Sequence, residues 1–163
     1  RWSDDIWHKN QSKRTFVRNR GPWSLRRGTA RGKIVGGNLC TFNLLQGTKH
    51  MPSLRNTILF IEEDDLVKGA AFAKEFGRNL QSFAQQPGFR HVRGLVFGRF
   101  QKKCLMTDEK LRTLVATIKE LRRIPIIAGV DFGHTTPQIT LPISGEARIV
   151  AGRERARLEI LKH

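Results

Sequence analysis

The sequence predicts an α/β domain with a parallel βαβαβ core and a C-terminal antiparallel strand pair. Three observations predict it. A continuous apolar run at Ile58-Leu59-Phe60-Ile61 has the pattern of a strand covered on both faces, with Val92–Phe97 and Ile126–Val130 as the next strands. Two segments with apolar residues at helical spacing separate those strands, which calls for right-handed crossovers between parallel strands. The tail alternates instead, in Ala147–Gly152 and Ala156–Leu161, as an antiparallel closing pair does.

Taken in order, residues 1–30 are basic, rich in Trp and Gly, and lack sustained apolar periodicity. Trp2, Trp7, Phe16, Val17 and Trp23 are placed to anchor this stretch on a neighbouring surface. Gly32–Asn38 reads as a short strand ending in a glycine turn, and Leu39–Leu45 as a short helix stopped near Gly47. The first crossover helix is expected over Leu66–Gln85, with Phe72, Phe76, Leu80 and Phe83 on one face and Pro87-Gly88 ending it. Thr107 is positioned to cap the second, with Asp108 and Glu109 favourably placed in its first turn. Its apolar face is Leu111, Leu114, Val115, Ile118 and Leu121.

At 163 residues the chain suits one domain with a real core. No apolar run approaches the roughly 18–20 residues that span a bilayer, and no membrane association is expected. The two cysteines, Cys40 and Cys104, stand far apart without a CxxC or a His cluster. That argues against a disulfide framework and against a structural zinc site, leaving reduced and mostly buried thiols as the expectation. The formal net charge of +16 is the loudest feature, from 30 Lys+Arg against 14 Asp+Glu. Charge alone points to a basic nucleic-acid-binding module. No zinc finger, RNP motif or basic zipper accompanies it.

In open α/β sheets ligands meet the carboxyl ends of the strands. Three polar loops leave strands there: Gly36-Gly37-Asn38, Glu62-Glu63-Asp64-Asp65, and Asp131-Phe132-Gly133-His134-Thr135. The two glycines permit close backbone approach to a ligand. A carboxylate and an imidazole on neighbouring strand ends can act as an orienter and a general base. Each loop also has an ordinary reading: a tight turn, a solvated acidic loop, an exposed histidine.

Several ordered motifs shift that balance. Lys33-Ile34-Val35-Gly36-Gly37-Asn38-Leu39, Leu44-Leu45-Gln46-Gly47-Thr48 and Ile58–Glu63, followed by Val130–Thr135 with Pro137, Leu141 and Pro142, resemble the LD-carboxypeptidase family. That family includes muramoyl-tetrapeptide carboxypeptidases and microcin C immunity peptidases. The resemblance is close over about 31–151. It implies a swivelling β/β/α-type C-terminal domain at 31–163, with 1–30 as a Trp-containing interdomain linker. Glu62 is then the carboxylate of a Ser-Glu-His triad and His134 its general base. Glu63 is chemically equal but neighbours Glu62 on a strand end, where successive side chains point to opposite sides.

The family's nucleophilic serine lies in an N-terminal amidotransferase-like domain at a GxSD-type turn. None of Ser3, Ser12, Ser24, Ser53, Ser82 and Ser144 has that context, and the start at Arg1 reads as the middle of a longer protein. Inactivity of the chain by itself is therefore expected. Murein LD-peptides or peptidyl-nucleotide amides are the implied substrates, with Asn38, Trp2 and Trp7 as candidate binding residues. No cofactor and no metal is called for, and a cytoplasmic homodimer is the implied working form.

Overall fold

The computed structural model describes residues 1–163 except Trp7 and Asn10. Its frame is one seven-stranded sheet: β1 (Trp23–Arg26), β2 (Gly28–Asn38), β3 (Thr57–Glu62), β4 (Gly94–Gly98), β5 (Ile126–Val130), β6 (Glu146–Ala151) and β7 (Ala156–Lys162). The spatial order is β1-β5-β4-β3-β2-β6-β7. Strands β2 to β5 are parallel, while β1, β6 and β7 pair antiparallel at the two edges. The protein is thus α/β, with the parallel core and antiparallel tail that the patterning predicts.

The parallel strands are continuous apolar runs because both faces are covered. All six residues of β3 are buried. Leu59 and Ile61 join the helix-side core, with Leu95, Phe97, Ile126 and Ala128. Ile58 and Phe60 join a second core, with Val96, Ile127, Ile149 and Ala151, to which no helix contributes. The sheet curls so that β6 helps to fill this second face. At Gly94 an added Cβ would stand 2.7 Å from Ile149 Cδ1, so the small residue admits β6.

Three helices, α1 (Leu39–Asn43), α2 (Ala70–Ala84) and α3 (Asp108–Thr117), accompany the first core. Thr107 Oγ1 accepts from the Lys110 backbone N–H at 3.2 Å, as its capping position predicts. Other boundaries differ from expectation. The first crossover helix starts at Ala70 rather than Leu66, because Gly69 at φ 64° and ψ −141° breaks the turn. Leu66 is consequently 87% exposed. Helix α3 ends at Thr117, and Ile118 and Leu121 reach the core from a following 3₁₀ turn.

Residues 1–30 contribute to the sheet. They supply β1, which lies against β5, and the first three residues of β2. Trp2 bridges Val17 and Ser3 bridges Thr136 through paired backbone hydrogen bonds.

Charge is segregated along the sheet. Carboxylates gather beyond the carboxyl ends of β3 and β5, in Glu62, Glu63, Asp64, Asp65 and Asp131. At the opposite end Arg31, Arg90, Arg93 and Arg123 line a trough of about 560 Å³. Four of the 30 cationic residues thus form a basic trough away from the acidic loops. Among the described residues no helix is long and apolar enough to cross a membrane.

Candidate active site

Strand parity decides between the adjacent glutamates. Glu62 follows Ile58 and Phe60 in step, on the helix-free face, whereas Glu63 follows Leu59 and Ile61 toward the helices. The imidazole of His134, from the loop after β5, meets the first of them. Its Nδ1–H donates to Glu62 Oε2 at 2.7 Å, because a carboxylate partner accepts and so fixes that tautomer. The Glu62 side chain is buried while the His134 ring is 47% exposed. The Glu62 contact uses Nδ1 and so leaves Nε2 as the other ring nitrogen for proton transfer.

Two glycines make room for this pair. Gly133, at φ +95°, would with a Cβ stand 2.6 Å from Glu62 Oε2 and 2.9 Å from Glu62 Cβ. A Cβ on Gly98 would meet Glu62 Cβ at 2.9 Å and Phe132 O at 2.8 Å. The Gly-His dipeptide is thus one device: the glycine lets the loop lie on Glu62 and the histidine closes over it. Phe132 pins the loop in the helix-free core, 5.7 Å from the Phe60 ring.

His134 titrates above its ordinary value, first because Glu62 accepts from its ring. Partial burial opposes the shift, and the charges of Glu62, Asp64 and Glu63 add to it. A raised folded value favours the protonated form, so its stabilising contribution is full below the ordinary value of 6.5. It is lost as pH rises from there through the folded value. Urea midpoints from pH 5.5 to 9 are therefore expected to fall more steeply for the parent chain than for His134→Gln. Parallel curves would contradict the assignment.

The other sequence candidates are placed differently. Asn38 caps α1: its Oδ1 accepts from Thr41 N at 3.0 Å. Its Nδ2 donates to Glu63 Oε1 at 2.8 Å and to Asp64 Oδ2 at 3.4 Å. Glu63 also accepts from the Cys40 backbone N–H at 2.9 Å, and burial raises its carboxyl above the usual range. A substrate contact by Asn38 has to be made beside these bonds. The Gly-Gly pair is only half what the sequence suggested. A Cβ on Gly36 would stand 1.9 Å from Phe60 O, so that position serves strand contact and not a ligand. Gly37 alone faces open space.

Trp2 lines a cavity of about 180 Å³ with Arg18, Arg20, Trp23, Arg99 and Met106. The Arg99 guanidinium and the Lys102 ammonium lie over its ring at 5.2 and 5.5 Å. Trp7 lies outside the described residues. Ser3, the one serine in a Trp-Ser-Asp context, is fully buried, and its hydroxyl donates to Asp5 at 3.2 Å. Arg99 and Asn19, which surround Asp131, carry no motif signal. The only hint to Arg99 is its place just beyond the apolar run of β4.

Both thiols are free, but they differ. Cys104 is buried, and desolvation pushes its thiol up to about 12. Cys40 is exposed, contrary to the expectation of mostly buried thiols. One equivalent of a maleimide is expected to react with the native chain, at Cys40, and a second only after unfolding. Two fast equivalents would contradict this burial. Among the described residues no group of three or more His, Cys, Asp or Glu is arranged to hold a metal ion.

Comparison with known proteins places this geometry in a family. Residues 31–149 match the profile of the LD-carboxypeptidase C-terminal domain. YocD of Bacillus subtilis (strain 168), which bears a carboxypeptidase name, is 44% identical over 162 residues, 99% of this chain and 49% of YocD. The crystal structure of an MccF-like protein from Bacillus anthracis (strain Ames) matches with a TM-score of 0.94 and 46% identity, over 99% of this chain and 49% of that one. A structure of MccF in complex with glutamyl sulfamoyl guanosine matches with a TM-score of 0.75 and 25% identity, over 99% of this chain and 48% of that one. The chain spans about half the length of these relatives. With the profile matched from the start of the glycine-strand motif to the closing strand pair, the chain belongs to the LD-carboxypeptidase family, as its C-terminal domain.

Proposed function

We propose that this chain supplies the acid–base half of a serine carboxypeptidase active site, completed by a nucleophilic serine on an N-terminal amidotransferase-like domain. The observation that carries the reading is the 2.7 Å contact between buried Glu62 and half-exposed His134 at the carboxyl end of the sheet. In the complete enzyme the serine hydroxyl attacks the carbonyl of a C-terminal amide bond. His134 Nε2 takes the hydroxyl proton and returns it to the leaving amine. Glu62 holds Nδ1–H, orients the ring and stabilises the imidazolium as it forms.

The substrates proposed are murein LD-peptides or peptidyl-nucleotide amides. The latter are supported by the MccF structure that holds an aminoacyl sulfamoyl nucleoside. Trp2, Trp7 and Asn38 are proposed to contact them, and a cytoplasmic homodimer is the proposed working form on the family likeness. The alternative, a basic nucleic-acid-binding module, rests on charge and is not favoured by the family match. The test is turnover by the chain alone and joined to an N-terminal half, on a murein tetrapeptide and on an aminoacyl sulfamoyl nucleoside. No turnover alone and turnover when joined is expected. Equal turnover by the chain alone would overturn the reading.

A further inference from the structure

The loop that carries His134 is held through its own Asp131 by two residues far away in sequence, Asn19 and Arg99. Asn19 Nδ2 donates to both carboxylate oxygens of Asp131, at 3.1 and 2.9 Å. Arg99 Nη2 donates to Asp131 Oδ1 at 2.7 Å, to Asn19 Oδ1 at 2.7 Å and to Gly129 O at 2.9 Å. Arg99 Nε adds a longer bond to Asp131 Oδ1 at 3.3 Å, and Asn19 Oδ1 also accepts from Gly21 N at 2.8 Å. The Arg99 side chain is only 11% exposed and that of Asp131 24%, so the pair is held in little solvent. Such bonds to a charged group are the strong ones.

Asp131 stands three residues before His134, and Thr136, two residues after it, bridges Ser3 at 2.9 and 2.8 Å. The catalytic loop is therefore pinned on both sides by residues of the first twenty. Between the pins Phe132 enters the core and Gly133 rests on Glu62. Trp2, stacked on Arg99, links the two pins.

We propose that Asn19, Arg99 and Asp131 are positioning residues for His134, so that the N-terminal segment belongs to the catalytic machinery and is more than a tether. This rests on the reading of His134 as general base. The bonds of Asn19 and Arg99 to Asp131 hold the loop whatever His134 does. A one-ångström displacement of a catalytic group costs on the order of 100-fold in rate, so a network that fixes the loop has catalytic weight without touching substrate.

Asn19→Ala is the decisive variant, because it removes the bonds without changing any charge near the imidazole. The groups acting on that ring, Glu62, Asp64 and Glu63, all stay in place. Imidazole ¹⁵N spectra of the chain are expected to show the His134 midpoint moving down toward the ordinary range in Asn19→Ala. Arg99→Lys, which keeps the charge but loses the fork, is expected to move it the same way. Leu80→Val, a fully buried site on the helix side, lowers stability without touching the loop and is expected to leave the midpoint unchanged.

In the complete enzyme kcat is expected to fall about 10- to 100-fold in Asn19→Ala with KM within about twofold. An unchanged His134 midpoint in both network variants, or an equal shift in Leu80→Val, overturns the inference. Full activity of His134→Ala with the spectral shift present would instead remove the catalytic reading and leave the positioning network standing.

Discussion

Glu62→Gln in the complete enzyme is expected to lower kcat by about 10⁴-fold while leaving the fold intact. The size follows from what the carboxylate does. Replacing the orienting acid of a Ser-His-acid triad by its amide presents a donor to the wrong tautomer and removes the charge that stabilises the imidazolium, at a cost of about 10⁴ in rate. That is about 5.4 kcal/mol of transition-state stabilisation. The residue is buried and its Oε2 already accepts from His134 Nδ1 at 2.7 Å, so the amide has no room to turn away. His134→Ala is expected to cost at least as much, and the double variant little more, because groups that act as one unit are not additive. Glu63→Gln is the control. Glu63 bonds Asn38 and Cys40 on the opposite face, so its loss is expected to perturb the α1 cap far more than kcat. If Glu63→Gln were the more damaging to kcat, the assignment by strand parity would be wrong.

The second large effect is on folding. Gly36→Ala is expected to cost more than about 4 kcal/mol, a large share of the 5–15 kcal/mol that holds a typical domain together. The added Cβ would stand 1.9 Å from Phe60 O, 2.7 Å from Phe60 C and 2.8 Å from Phe60 N. All three are backbone atoms of β3, the central strand, so nothing flexible can move aside. The residue also sits at φ +142°, which L side chains rarely adopt. Gly37→Ala separates conformation from contact: it lies at φ +153° with no atom within 4 Å. Its cost is expected to stay near about 1–2 kcal/mol. Urea midpoints decide it, and equal midpoints for the two variants would contradict the strand-contact role.

The parallel core was legible because its strands are covered on both faces and so spell continuous apolar runs. The tail was legible because its alternation survives, with Ala147, Ile149 and Ala151 inward. The start of β2 was not, although it also alternates. Its inward residues are Ala30 and Gly32, which carry almost no hydrophobic signal. Strand β1 escaped for a related reason: on the edge all four of its residues are only half-buried, so no period appears. The helix start at Ala70 turned on one glycine with a positive φ.

For the site, motif position pointed to Glu62 and His134, and the parity of Ile58, Phe60 and Glu62 gives the physical reason. The Asn19–Arg99–Asp131 network was invisible, since its members are 80 and 112 positions apart along the chain. Only the fold brings them together, and no local pattern marks a residue whose partners are supplied by distant loops. Charge misled in the other direction. One cluster of arginines, Arg31, Arg90, Arg93 and Arg123, lines the end of the sheet away from the site.

The central claim, that Glu62 and His134 complete a serine's active site, is tested most directly by one comparison of turnover. The chain is assayed alone, joined to the proposed N-terminal amidotransferase-like domain, and joined with Glu62→Gln, on the same murein tetrapeptide and aminoacyl sulfamoyl nucleoside. The expected result is turnover only in the joined parent, lowered about 10⁴-fold by Glu62→Gln. Turnover by the chain alone, or undiminished turnover in the joined Glu62→Gln variant, would contradict it.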